Sequence, residues 1–260
     1  MQLNVSCHLA YSLPQRTDLL LQIEVPHLAD QRTDGGLIEM SQTQHFDRVQ
    51  AEGGMGERIW LCAEGAFQCD YYVQVTVDRP ALEVSGLPGV APHQLPGEAV
   101  RYLMPSRYCP SDLFQSFVIA EFGHLEGGAR IAAMRDWIRT AFAYVPGVST
   151  AQTTALDSFV QRQGVCRDFA HVMITLARAS AIPARFASVY APDVKPQDFH
   201  AVAEIFLDGT WHLVDATGMA AADTIARIGI GQDAADVAFL SAFGPIMMVD
   251  QSVTVQRVTG

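Results

Sequence analysis

The chain has 260 residues, room for two domains at about 100–200 residues each. With 49% hydrophobic residues it can bury a sizeable core, which excludes wholesale disorder. Its net charge of −11, with 17 scattered cations of which Lys195 is the single lysine, argues against nucleic acid and anionic membrane as partners.

No apolar run reaches the roughly 18–20 residues that cross a bilayer. The opening residues, Met1 to Ser6, have no cationic segment leading into an apolar stretch, so no secretory signal is expected. Cys7, Cys62, Cys69, Cys109 and Cys166 are too few and odd in number for a disulfide framework. Reduced thiols in a cytoplasmic protein are the expectation.

The first part of the chain reads as β. Leu3, Val5, Cys7 and Leu9 alternate with polar residues, the period of a half-buried strand. Short apolar runs follow at 19–25 and 59–63, and the clearest strand covers 67–77, with Phe67, Cys69, Tyr71, Val73, Val75 and Val77 on one face. Several short strands without helical periodicity predict a small antiparallel sandwich-like domain. The stretch from Ser85 to Gly97, SGLPGVAPHQLPG, forbids a regular element. The predicted division is a β domain over 1–100 and an α+β domain over 101–260.

Beyond the junction the texture changes. Ser111-Asp112 can cap a helix through Phe122, and Gly127-Gly128 precede a second with Ile131, Met134, Ile138 and Phe142 at helical spacing. Helices over about 151–163 and from Cys166 to just before Ile182-Pro183 follow. Strands are then expected at 184–190, 200–207, 210–216 and 246–258.

Gly164-Val165-Cys166-Arg167-Asp168 sets a cysteine in the first turn of a long apolar helix. Unpaired backbone N–H groups and the positive end of the helix dipole favour an anion there. The same N–H groups, that of Cys166 first, can hold an oxyanion formed when a carbonyl is attacked. The competing reading is a buried packing cysteine.

A base and its orienter follow. His200 to Leu207 reads as a strand, Asp208-Gly209 as a two-residue hairpin turn and Thr210 to Asp215 as the return strand. Such a turn pairs Leu207 with Thr210 and, further along, His200 with Thr217. Asp215 then lies two places away on the face of His200, about 7–8 Å distant between Cα atoms. A carboxylate there orients the imidazole and leaves its other nitrogen for the thiol. A three-residue loop would put Asp215 on the opposite face. In isolation, His200 also reads as a satisfied strand histidine and Asp215 as a turn cap.

These residues resemble the transglutaminase-like superfamily, relatives of papain-type cysteine proteases. Gly164 to His171 looks like its nucleophile motif, and Ile182-Pro183-Ala184-Arg185 like the segment leading from that helix into the sheet. His200-Ala201-Val202-Ala203-Glu204 and Trp211 to Thr217 look like its His and Asp motifs. Pro105 to Cys109 and Tyr144-Val145-Pro146-Gly147 resemble segments of a bacterial branch that carries an N-terminal β domain. The resemblance implies an α+β catalytic domain with Cys166 as nucleophile, His200 as base and acid, and Asp215 as orienter. Four positions depart from the pattern. Val202 stands where many relatives have Trp, which implies a missing aromatic wall, and Ala216 replaces a frequent Pro. Arg167 follows the nucleophile where animal transglutaminases have Trp, and Gln232 stands where relatives often carry Arg.

Other residues have plainer readings. His171 lies about 140° around the helix from Cys166 and reads as packing against the sheet. Asp168 and Arg185 read as caps or ion pairs rather than substrate contacts, Tyr144 as packing, the alternative being a hydroxyl near the site, and Glu204 as a partly solvated strand carboxylate, the alternative being a group behind His200 on the same strand face. Gly53-Gly54-Met55-Gly56 lacks the context of a phosphate loop. No zinc or calcium motif is present, so no cofactor or metal is expected.

The expected activity is acyl transfer through a thioester. A peptide or protein substrate would be attacked at an amide or ester carbonyl, and the acyl group passed to water or to an amine acceptor, with hydrolysis favoured. The alternatives are a protein-interaction module that keeps the fold without turnover, and a plain α+β protein with a structural cysteine.

Overall fold

The computed structural model describes residues 1–258. Its first sheet is built on two long strands. Along the chain come β1 (Gln2–Leu21), β2 (Gln31–Met40), β3 (His45–Gln50) and β4 (Glu57–Val77). β1 and β4 pair antiparallel from Gln2 opposite Thr76 to Leu21 opposite Ile59. The register breaks between Leu13 and Thr17, where the extra residues of β1 include Pro14, which has no N–H to donate. The apolar runs at 19–25 and 59–63 are therefore not separate short strands. Leu19 to Leu21 and Ile59 to Ala63 belong to the same two strands on the far side of this bend, and residues 22–25 lie beyond the end of β1.

β2 joins β4 on one side of the bend and β3 on the other. Both escape a reading by hydrophobic alternation because their side chains are largely exposed on the outer surface. The two parts of the sheet share one core, in which Leu3, Leu9, Leu19, Leu61, Phe67 and Val75 are almost wholly buried.

The second unit begins with helices α1 (Gln115–Phe122), α2 (Gly127–Ala141), α3 (Ala155–Gln161) and α4 (Cys166–Ala179). Strands β5 (Ala184–Tyr190), β6 (His200–Leu207), β7 (Thr210–Val214) and β8 (Ala226–Gly231) follow. They form a second antiparallel sheet in the order β8-β5-β6-β7. The class is α+β with antiparallel sheets, as the sequence indicates. β8, absent from the expected elements, has the sequence ARIGIG, whose two glycines blur its alternation. From Asp168 to Arg178 every residue of α4 is buried, because the sheet covers one side of this helix and α1–α3 the other.

The chain then returns to the first sheet. β9 (Leu240–Ala242) and β10 (Met247–Arg257) pair with β1 along the edge that β4 leaves open. The strand expected at 246–258 thus forms, but it completes the N-terminal sheet instead of extending the second one. A cut at residue 100 separates β1–β4 from the helices and leaves β9 and β10 on the other side of that cut. The physical reason is the free edge of β1, which the returning strands pair and cover.

A buried ionic cluster joins the two sheets. Glu204 of β6 is wholly buried, not partly solvated, and accepts from Arg185 Nε at 2.6 Å and from Arg227 Nη1 at 2.9 Å. Arg227 also pairs with Asp30 of the β1–β2 connection, and Asp30 accepts from Arg79 Nε at 2.7 Å. The Arg185 guanidinium lies 4.0 Å above the Trp211 ring. Tyr190 adds a hydroxyl that donates to Ile23 O at 2.9 Å. Replacing Glu204 by Ala would leave Arg185 and Arg227 buried without their shared counter-charge. The expected loss of folding stability is about 3–5 kcal/mol, read from the urea unfolding midpoint, with Glu204→Gln milder.

Candidate active site

Cys166 opens α4, and its surroundings are set by four local devices. Thr154 caps α3, accepting from Asp157 N while Asp157 accepts from Thr154 N at 2.8 Å. Arg162, at φ 56°, ends that helix in the left-handed region. The next residues, Gln163-Gly164, form a short parallel pairing with Ala143-Tyr144, which fixes Tyr144 beside the start of α4. Asp168 holds the first turn itself, its Oδ2 accepting from Val165 N at 2.8 Å. A Cβ on Gly164 would lie 2.6 Å from the Asp168 Cβ, so the close approach requires glycine there.

The five cysteines are unpaired, and Cys166 alone among them is half-exposed; the other four are buried. The buried thiols of Cys7, Cys69 and Cys109 are each pushed up to about 12 by burial. Arg167, at the rim, donates to Asp168 Oδ1 at 3.0 Å and to Thr150 O at 2.8 Å, so its charge is already paired.

The hairpin has the register that a two-residue turn dictates, with Leu207 opposite Thr210 and Ala203 opposite Val214. Asp208 and Gly209 take φ values of 48° and 75°, the left-handed pair that suits a tight hairpin. Asp215 directly follows β7, and its Oδ2 accepts from His200 Nε2 at 2.9 Å. The carboxylate is held from other sides by Thr217 N at 2.8 Å, Thr217 Oγ1 at 2.7 Å and Ala220 N at 2.9 Å. His200 Nδ1 is buried without a hydrogen-bond partner of ordinary geometry, and the Cys166 thiol is the group beside it. The structure thus brings Cys166, His200 and Asp215 together.

The charges reinforce one another. Burial disfavours a charged His200, but the hydrogen bond to Asp215 and the nearby Cys166 outweigh it and raise the imidazole to about 10. Burial likewise opposes ionisation of Asp215, and His200 with Thr217 holds its carboxyl below the usual range. At neutral pH the pair is imidazolium and carboxylate.

Of the two readings of Tyr144, the structure puts its hydroxyl near the site, facing the Cys166 amide and thiol. Burial, followed by the negative charge of a Cys166 thiolate, pushes that hydroxyl up to about 12, so it stays a neutral donor. A parallel pairing of four residues carries it there, and no spacing in the sequence announces it.

The remaining candidates fall elsewhere. His171 is buried against Phe186 and Tyr108, away from the thiol, as the helical angle implied. Val202 lies in a separate cluster with Ala187, Val189 and Ile225, so it leaves no gap in the cleft wall. The aromatic walls come from Tyr108, Phe199 and Phe239. Among the described residues no group of three potential metal ligands gathers, and no helix is long and apolar enough to cross a membrane.

Comparison with known proteins follows the same residues. The transglutaminase-like superfamily core matches over 121–216, a span that contains Cys166, His200 and Asp215. A candidate cysteine protease from Cytophaga hutchinsonii is 30% identical, with a TM-score of 0.92, over 100% of this chain and 91% of that one. An uncharacterized protein of Mycobacterium leprae is 29% identical over 147 residues, 52% of this chain, and the match spans about half (52%) of that relative's length. The periplasmic domain of TgpA from Pseudomonas aeruginosa is 20% identical, with a TM-score of 0.45, over 82% of this chain and 76% of that domain. The family core, together with a full-length structural likeness that includes the first sheet, places the chain in the transglutaminase-like superfamily.

Proposed function

We propose that the protein is a cysteine-nucleophile acyl-transfer enzyme acting on amide bonds of a peptide or protein. The observation that carries this is His200, held on one nitrogen by the buried carboxylate of Asp215 and turned on the other toward Cys166 at the start of α4. The Cys166 thiolate attacks the carbonyl carbon, an S–C bond forms, and the carbonyl π pair moves to oxygen. The oxyanion is met by the Cys166 N–H and the Tyr144 O–H. His200 Nδ1–H gives its proton to the nitrogen as the C–N bond breaks, and the amine leaves behind a thioester. Water, deprotonated by the now neutral His200, attacks the thioester; the S–C bond breaks and the acid departs. An amine in place of water gives transfer. The description of the Cytophaga relative as a candidate protease favours hydrolysis.

Iodoacetamide labelling at neutral pH, located by peptide mapping, tests the nucleophile. Cys166 is expected to label far faster than the four buried thiols, and His200→Ala to abolish that advantage. Slow labelling indifferent to His200 would overturn the enzyme reading and favour an interaction module.

His200 must carry a proton when the amine leaves, and it is held protonated up to about 10. Turnover of a peptide amide is therefore expected to fall as pH rises through about 10. Asp215→Asn removes the carboxylate that sustains this. Its base limb should move toward the ordinary imidazole value of about 6.5, with turnover reduced by about 10³-fold or more. An unmoved limb would mean that Asp215 does not act through His200.

Tyr144→Phe removes one donor and little volume. A fall in kcat of about 100-fold with KM nearly constant is the expected result in steady-state assays. A change confined to KM would return Tyr144 to packing.

A further inference from the structure

Cys166 and His200 themselves help to line a pocket of about 320 Å³. Phe186 and Ser188 of β5 and Ala201 of β6 line it from the sheet, while Phe199 and Phe239 stack at 4.3 Å between ring centres, 4° from parallel. Arg167, the one cationic side chain of the lining besides the imidazolium, has its guanidinium paired with Asp168 at the rim. Ser188 is 6% exposed. The size is at the lower end of ligand pockets, about 300–1,000 Å³, and suits one large side chain next to the reacting carbonyl.

The wall of this pocket is a segment stretched between the two sheets. At its start, Asp233 accepts from Tyr108 N at 2.8 Å and from Ala235 N at 2.9 Å. Ala234 N donates to His171 Nε2 at 3.1 Å, and burial lowers that imidazole to about 3, so it remains a neutral acceptor. At its far end, Phe239 O accepts from Gln22 N at 2.9 Å, and the chain continues directly into β9 on the edge of β1. The first sheet thus holds one side of the pocket, and His171 and Asp233 hold the other.

Resting on the acyl-transfer reading above, we infer that this pocket selects the acyl donor. The side chain flanking the attacked carbonyl is aromatic, phenylalanine or tyrosine, and a charged one is rejected. Aromatic rings gain from edge and offset contacts with Phe186, Phe199 and Phe239. A carboxylate or ammonium group would be desolvated there with no free partner. Ser188, on the sheet side of the pocket, can meet a tyrosine hydroxyl.

Peptidyl chloromethyl ketones that differ only in the residue next to the ketone test this without a known substrate. Alkylation forms the Cys166 S–C bond and expels chloride, and its rate is followed by mass spectrometry. The phenylalanine reagent is expected to react about tenfold or more faster than the glycine one, and faster still than the aspartate one. Ala238→Trp, a half-exposed lining position, should bring the phenylalanine-to-glycine ratio to within about twofold. Ala234→Leu, which leaves the backbone bond to His171 in place, should reduce the same ratio independently. Circular dichroism melting identifies a variant that has merely unfolded. A wild type that labels fast with iodoacetamide yet shows no side-chain preference would overturn the pocket assignment alone. A Cys166 slow toward iodoacetamide as well would overturn the acyl-transfer reading and this inference with it.

Discussion

The interaction on which the site depends is the hydrogen bond between His200 and Asp215, made where both side chains are almost fully withdrawn from water. A buried imidazolium is unfavourable by itself, and so is a buried carboxylate. Each becomes tolerable only because the other is 2.9 Å away and because Thr217 and Ala220 satisfy the remaining carboxylate positions. The geometry leaves Nδ1 as the one nitrogen without an ordinary partner, and α4 delivers its first residue there. Burial therefore does chemical work in this fold: it makes the imidazole dependent on Asp215 and leaves its open nitrogen to Cys166.

Placing Cys166 requires its helix to be held more firmly than helix propensity allows. α4 is covered on all sides, and its first turn is fixed by Asp168 reaching back to Val165 across Gly164, where no side chain would fit. Its last turn is held by Arg178, which donates to Ala184 O at 2.9 Å, Met104 O at 3.0 Å and Gln232 O at 2.6 Å. These carbonyls come from the strand that follows, the junction before α1 and the segment after β8. The helix that carries the thiol is thus the piece on which distant parts of the second unit converge.

The core of this arrangement was legible in the sequence because it is local. The hairpin turn Asp208-Gly209 determines the register, the register determines which face Asp215 takes, and the helix start is marked by Gly164 and Asp168. What escaped depends on contacts remote in sequence. Tyr144 stays undecided between packing and a place by the site until a two-residue pairing brings it to Cys166, and Glu204 looks solvated until Arg185 and Arg227 close over it. β2 and β3 show no alternation because they bury little, and the bend in β1 and β4 turns two long strands into what reads as four short ones. Val202 marks a limit of reading by resemblance: a missing aromatic was inferred at a position that faces a different core.

The return of the chain to the first sheet gives that sheet a part in the site. Phe199 packs between Tyr190 and Phe239, and Tyr190 in turn donates to Ile23 at the end of β1. The aromatic wall beside Cys166 is therefore continuous with the core of the N-terminal sheet, and the residues after β8 cannot shift without straining β9 on its edge. The ionic cluster of Glu204, Arg185, Arg227 and Asp30 binds the same two sheets on the other side of β6. A hinge between the units would have to break one of these attachments or the other. Buried charge and packed rings both oppose it, and the cleft walls are held in place from both sides.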